Sequence, residues 1–201
     1  MGLGLFLKVV LLFSTGQPFM QSSPMFEFLN KAYVAPLILF TYVANNIWGF
    51  FPALWVNSTL GKQSDTYRIY FQLIAMPLIL DLIITLSVML YLGNLDAELL
   101  TFYALSTVSL VVNGLVFSLY KAFYVQSSFN FGQMKNNVNG WSIFTAAVLL
   151  GLTTLALKTV LTTLLLGVGL IAGTWYILNK VLPNDTNNTY TLYGQLFTNS
   201  D

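Results

Sequence analysis

The sequence predicts an all-α fold: a polytopic membrane helix bundle of about five transmembrane helices plus a short N-terminal apolar helix. Three observations carry this expectation. Only 7% of the residues are Asp, Glu, Lys or Arg, against about 25% in a soluble domain. Hydrophobic residues make up 56% of the chain. Residues 32–180 hold apolar runs long enough to match the roughly 20 helical residues that cross a bilayer. The runs are continuous rather than alternating, and about twice the length of a barrel strand, which argues against a membrane β-barrel.

The organisation follows in three parts. Residues 1–31 form a short apolar N-terminal helix and a polar loop. Residues 32–180 form the transmembrane helix bundle, and residues 181–201 a polar, mobile C-terminal tail. The opening run 2–13, GLGLFLKVVLLF, is too short to span and is interrupted by Lys8. It reads as an interfacial helix or as the remnant of a longer upstream region. Pro18, Pro24 and the Ser22-Ser23 pair break the segment that follows.

Span A covers 32–56, with Pro36, Pro52, the Asn45-Asn46 pair and Gly49. Trp48 and Trp55 lie toward its end, where amphipathic aromatics favour the interface. Span B covers 69–92, with Pro77 and, near its middle, Asp81. Span C covers 99–120 and contains Asn113. Residues 141–180 would be about 60 Å long as one helix, so they divide into span D (141–157) and span E (159–179), with the turn near Lys158. Counting Lys and Arg in the loops puts Lys62, Arg68, Lys121, Lys135 and Lys180 on one side, and Lys8, Lys31 and Lys158 on the other. That bias predicts a multi-pass plasma-membrane protein with a cytoplasmic C-terminus.

Composition excludes much chemistry. The chain has no Cys and no His, which removes disulfides, thiolate catalysis and the usual zinc, haem and iron–sulfur ligand sets. No cofactor is expected. A net charge of +1 offers no basic surface for nucleic acid. A serine–histidine dyad, a Walker-type glycine loop and an arginine ladder are all missing, and Arg68 is the lone Arg. The chain is not expected to be an enzyme.

The candidate functional residues are few. An ionised carboxylate at mid-bilayer costs at least about 2.5–3.5 kcal/mol, so Asp81 should face a bundle interior or a wet path. It would relay a proton or cation, or gate a path; alternatively it fixes helix packing. Lys158 would partner it only if the span D–E turn lay deeper. Asn45, Asn46 and Asn113 would line the same path or hydrogen-bond across helices. Pro77 and Pro52 are hinge candidates, because proline removes a helical donor. Gly169 and Gly173, four apart, mark a helix-packing face within this chain or toward another copy.

Span A and the segment after it, FTYVANNIWGFFPALWVNSTLGKQSDTYRIYFQLIAMPLILDLI, resemble the membrane-spanning permease subunits of bacterial ATP-binding-cassette exporters. The shared features are the amide- and aromatic-rich first span ending in Gly49, Phe50, Phe51 and Pro52, the segment with Lys62 and Arg68, and the proline-containing second span. The resemblance covers residues 32–90. It implies a separate ATP-binding subunit docked at Lys62, Arg68, Lys121 and Lys135, and export of a peptide, lipid or drug-like substrate. The family has six spans per half, so five here imply a partial chain or one part of a split permease. Three other readings stand beside it. A small-molecule-binding membrane subunit would stack its ligand on Tyr42, Trp48 and Trp55. A non-transporting membrane protein, such as a bacteriocin-immunity or assembly factor, would need no concentrated polar site. A membrane enzyme is the last.

Overall fold

The computed structural model describes residues 2–15, 32–36, 46–50, 63–120 and 140–177. Every element among them is helical: α1 (Gly2–Thr15), α2 (Ile47–Phe50), α3 (Gln63–Tyr91), α4 (Ala97–Tyr120), α5 (Gly140–Ala156) and α6 (Val160–Tyr176). Two of these are long and apolar enough to cross a membrane, through Tyr67–Tyr91 of α3 and Ala97–Leu119 of α4. The helices α5 and α6 have 17 residues each, about 25 Å at 1.5 Å per residue.

Local chemistry sets the boundaries. The apolar run of α3 carries no Gly and continues through Pro77. Its end is a Schellman cap: Asn94 N–H donates to Met89 O at 3.0 Å and Gly93 N–H to Leu90 O at 3.1 Å. That cap needs a left-handed residue, and Gly93 supplies it at φ 70°. Asp96 then caps α4 by accepting from Leu99 N–H at 2.7 Å. At the α5–α6 turn, Thr159 caps α6 by accepting from Thr162 N–H. Thr162 and Thr163 donate back to the orphan carbonyl of Ala156 at 2.5 and 2.9 Å. Hydroxyls thus make the turn near Lys158 without glycine or proline.

The sequence expectation of one continuous span A does not hold. The backbone leaves the helical state at Ala35 and Pro36, and the next described helix is the four-residue α2. Pro36 explains the break, since proline disfavours α geometry in the residue before it. The helix of span B also begins earlier than expected, so Asp65 and Arg68 lie on α3 rather than in a loop.

The bundle is centred on α4, which packs against α2, α5 and α6, while α1 packs along α3. Two tyrosines bridge α3 and α4. Tyr70 donates to Val111 O at 3.2 Å and Tyr103 donates to Asp81 at 2.9 Å. The pairs run in opposite directions along the two helices, as the short 92–96 turn requires. Lys8 meets Asp81 and the Phe13 ring meets that of Tyr91 at 5.8 Å, so α1 runs parallel to α3. On α3 the buried residues Tyr70, Ile74, Asp81, Thr85 and Val88 recur at helical spacing. Between them α3 exposes Met76, Ile79, Ile83 and Leu90, and α6 buries none of its residues.

Candidate functional site

Asp81 lies 14 residues beyond Tyr67 and 10 before Tyr91 in the apolar stretch of α3. Those separations are about 21 and 15 Å along the helix axis. Its side chain is fully buried and pairs with Lys8, whose Nζ lies 2.5 Å from Asp81 Oδ2. Lys8 is itself fully buried, although it comes from a helix 73 residues away in sequence. Its ammonium also donates to Ala35 O at 3.0 Å and Val34 O at 3.2 Å. Both carbonyls sit where Pro36 ends the helical geometry. A lysine carries three donors, and here each has an acceptor.

The carboxylate has further partners. Tyr103 Oη donates to Oδ2 at 2.9 Å, and Lys8 Nζ stands 5.6 Å from the Tyr103 ring centroid. Thr85 Oγ1, one turn on, donates to the Asp81 backbone carbonyl at 2.7 Å and stands 3.4 Å from Oδ2. The other carboxylate oxygen, Oδ1, is buried with no hydrogen-bond partner among the described residues. The site therefore joins α1, α3 and α4 through one carboxylate oxygen, and the Val34–Ala35 segment through the Lys8 ammonium. Such a pair is electrically neutral as a whole, and removing either member leaves an uncompensated buried charge.

A second, uncharged cluster joins α4 to α5. Asn113 Nδ2 donates to Ser142 O at 3.2 Å and Ser142 Oγ at 3.3 Å. Thr145 Oγ1 donates to Asn113 Oδ1 at 2.7 Å. The structure thus separates two residues that the sequence placed on one path, putting Asp81 on the α1 side of α4 and Asn113 on the α5 side. Asn46 is buried just before α2, beside the buried Trp48. Pro77 lies within α3, one turn before Asp81. Arg68 is exposed near the start of α3. A Cβ added at Gly169 or Gly173 meets nothing within 4 Å among the described residues. Asn45, Pro52, Lys62, Lys121 and Lys135, with the tail 181–201, lie outside the described residues.

Lys8 is the residue that sequence reasoning missed. The loop-charge count includes it, and its burial removes it from that count. The signal was present: Lys8 and Asp81 are opposite charges, each inside an apolar run, and each is costly without the other. Tyr103 gave no such signal, because nothing in the pattern of α4 sets it apart from other aromatics.

No family model, curated protein or solved structure matches this chain.

Proposed function

We propose that this chain is a multi-pass membrane protein serving as the membrane-spanning subunit of a transporter. The observation that carries the reading is the Lys8–Asp81 pair, buried deep along a helix long enough to cross the bilayer. Intramembrane ionisable residues are costly and concentrate on ion and substrate pathways. Multi-pass insertion is supported by the apolar faces of α3, α5 and α6, which expose Met76, Ile83, Leu155, Leu164 and Ile171. In this reading Asp81 gates the path, Pro77 one turn earlier is the hinge, and α1 moves with the state of the pair. ATP hydrolysed by a separate subunit would power the cycle, an element that comes from the exporter resemblance alone. Arg68, exposed near the start of α3, is one docking candidate.

A second reading is favoured by a different observation. Lys8 satisfies all three donors and ties α1 to the rest of the bundle, as a purely structural clasp in a non-transporting membrane protein would. Purifying the tagged chain from its native membrane in mild detergent, with mass spectrometry of what accompanies it, separates the two. A stoichiometric ATP-binding subunit, lost on Arg68→Glu, is the expected result. Recovery of the chain alone sinks the ATP-driven reading and favours the clasp.

A further inference from the structure

Among the described residues, every hydrogen-bond acceptor of the Lys8 ammonium is an oxygen atom. Asp81 Oδ2, Ala35 O and Val34 O lie at 2.5, 3.0 and 3.2 Å, and the Tyr103 and Thr85 hydroxyls flank the same carboxylate oxygen. A carboxylate, backbone carbonyls at a broken helix and hydroxyls make the donor set that hard cations take inside membrane proteins. We propose that this cradle is a binding site for a monovalent metal cation, with the Lys8 ammonium as its tethered, displaceable occupant.

Two further observations support the assignment. The first is charge. Asp81 is the one carboxylate of the cradle, and no group of three His, Cys, Asp or Glu that could hold a metal occurs among the described residues. A singly charged ion neutralises one carboxylate, whereas a divalent ion would leave a buried excess charge. The second is the orphan oxygen. Asp81 Oδ1 is buried without a hydrogen-bond partner among the described residues. The ammonium spends its three directional N–H bonds on Oδ2 and two carbonyls, so it cannot also serve Oδ1. A bare cation has no such directional limit and can take both carboxylate oxygens.

The consequence is mechanical. Cation and ammonium exclude one another, so cation entry withdraws Lys8 and loosens α1 from α3. The remaining anchors of α1 include the buried Leu12 and the Phe13–Tyr91 contact. The inference rests on the reading of Asp81 as a path or gating residue. Its test needs no partner subunit, so it fails separately from the ATP-driven reading.

The experiment is thermal unfolding of the purified full chain carrying Lys8→Met, in choline, sodium or potassium chloride at equal ionic strength. The expected result is a saturable rise of several degrees in the midpoint in sodium or potassium over choline, abolished in Lys8→Met/Asp81→Asn. Equal midpoints in all three salts overturn the proposal. If Lys8→Met does not fold, the Lys8-containing chain decides. The sequence has no cysteine, so Leu12→Cys gives a single thiol on the buried face of α1. Maleimide labelling several-fold faster in sodium or potassium than in choline, lost with Asp81→Asn, supports displacement of Lys8. Equal rates in the three salts overturn it.

Discussion

The Asn113 cluster joins α4 to α5, helices that follow one another in sequence, through neutral amide and hydroxyl groups. The Asp81 cluster joins α3 to α1 across 73 residues through full charges. Both cross a helix interface, yet they fail differently. Thr145 Oγ1 also lies 2.9 Å from Trp141 O and 3.1 Å from Ser142 O, so losing Asn113 leaves it an alternative acceptor. Lys8 and Asp81 have no such local substitute for each other. Neutral polar contacts thus add small increments to a bundle, whereas a buried ion pair works as a unit whose half is worse than nothing.

The largest effect should come from halving that unit. Asp81→Leu leaves the Lys8 charge buried and should cost about 3–5 kcal/mol, read as a lower denaturation midpoint in detergent. Restoring neutrality with Lys8→Met/Asp81→Leu should recover most of the loss. A double variant as unstable as the single one would show that shape, not charge, holds α1 in place.

Tyr103→Phe keeps the ring and removes one hydrogen bond to a charged acceptor, an expected loss of about 1.5–3 kcal/mol in the same assay. It should be much smaller in the Lys8→Met/Asp81→Leu background, since the acceptor is gone; an undiminished loss would place the effect in ring packing. Asn113→Ala should cost about 0.6 kcal/mol, and no more than about 1.7. A loss as large as that of Asp81→Leu would erase the contrast between the clusters.

Gly169→Ala and Gly173→Ala, at an exposed and a half-buried helical position, should cost no stability and gain at most about 0.5–1 kcal/mol of helix propensity. A Cβ there meets nothing within 4 Å among the described residues. A clear destabilisation, or a change in the size of the purified particle, would mean that another surface packs on α6.

Much of the helix layout is legible in the sequence. The sequence predicts helical spans B, C, D and E at 69–92, 99–120, 141–157 and 159–179, and helices occupy 63–91, 97–120, 140–156 and 160–176, of which the first two are long and apolar enough to cross a membrane. The agreement has a local cause: long apolar runs must satisfy their backbone internally, and Gly93, Asp96 and Thr159 stop or start helices by their own geometry and hydrogen bonds. Span A departs because one proline, Pro36, outweighed its apolar composition. Pro36 is itself the local signal for that break, because it disfavours helical geometry at Ala35.

The sequence by itself determined that this chain is helical and apolar, and that Asp81 is a costly charge needing a reason. Those are properties of a residue and its near neighbours along the chain. Only the tertiary structure decided that Lys8 answers Asp81, that Tyr103 reaches across from α4, and that Val34 and Ala35 lend their carbonyls. It also decided that Asn113 belongs to a separate cluster. These pairings depend on which helix faces meet, and helical periodicity tells which residues share a face without telling which face it will touch.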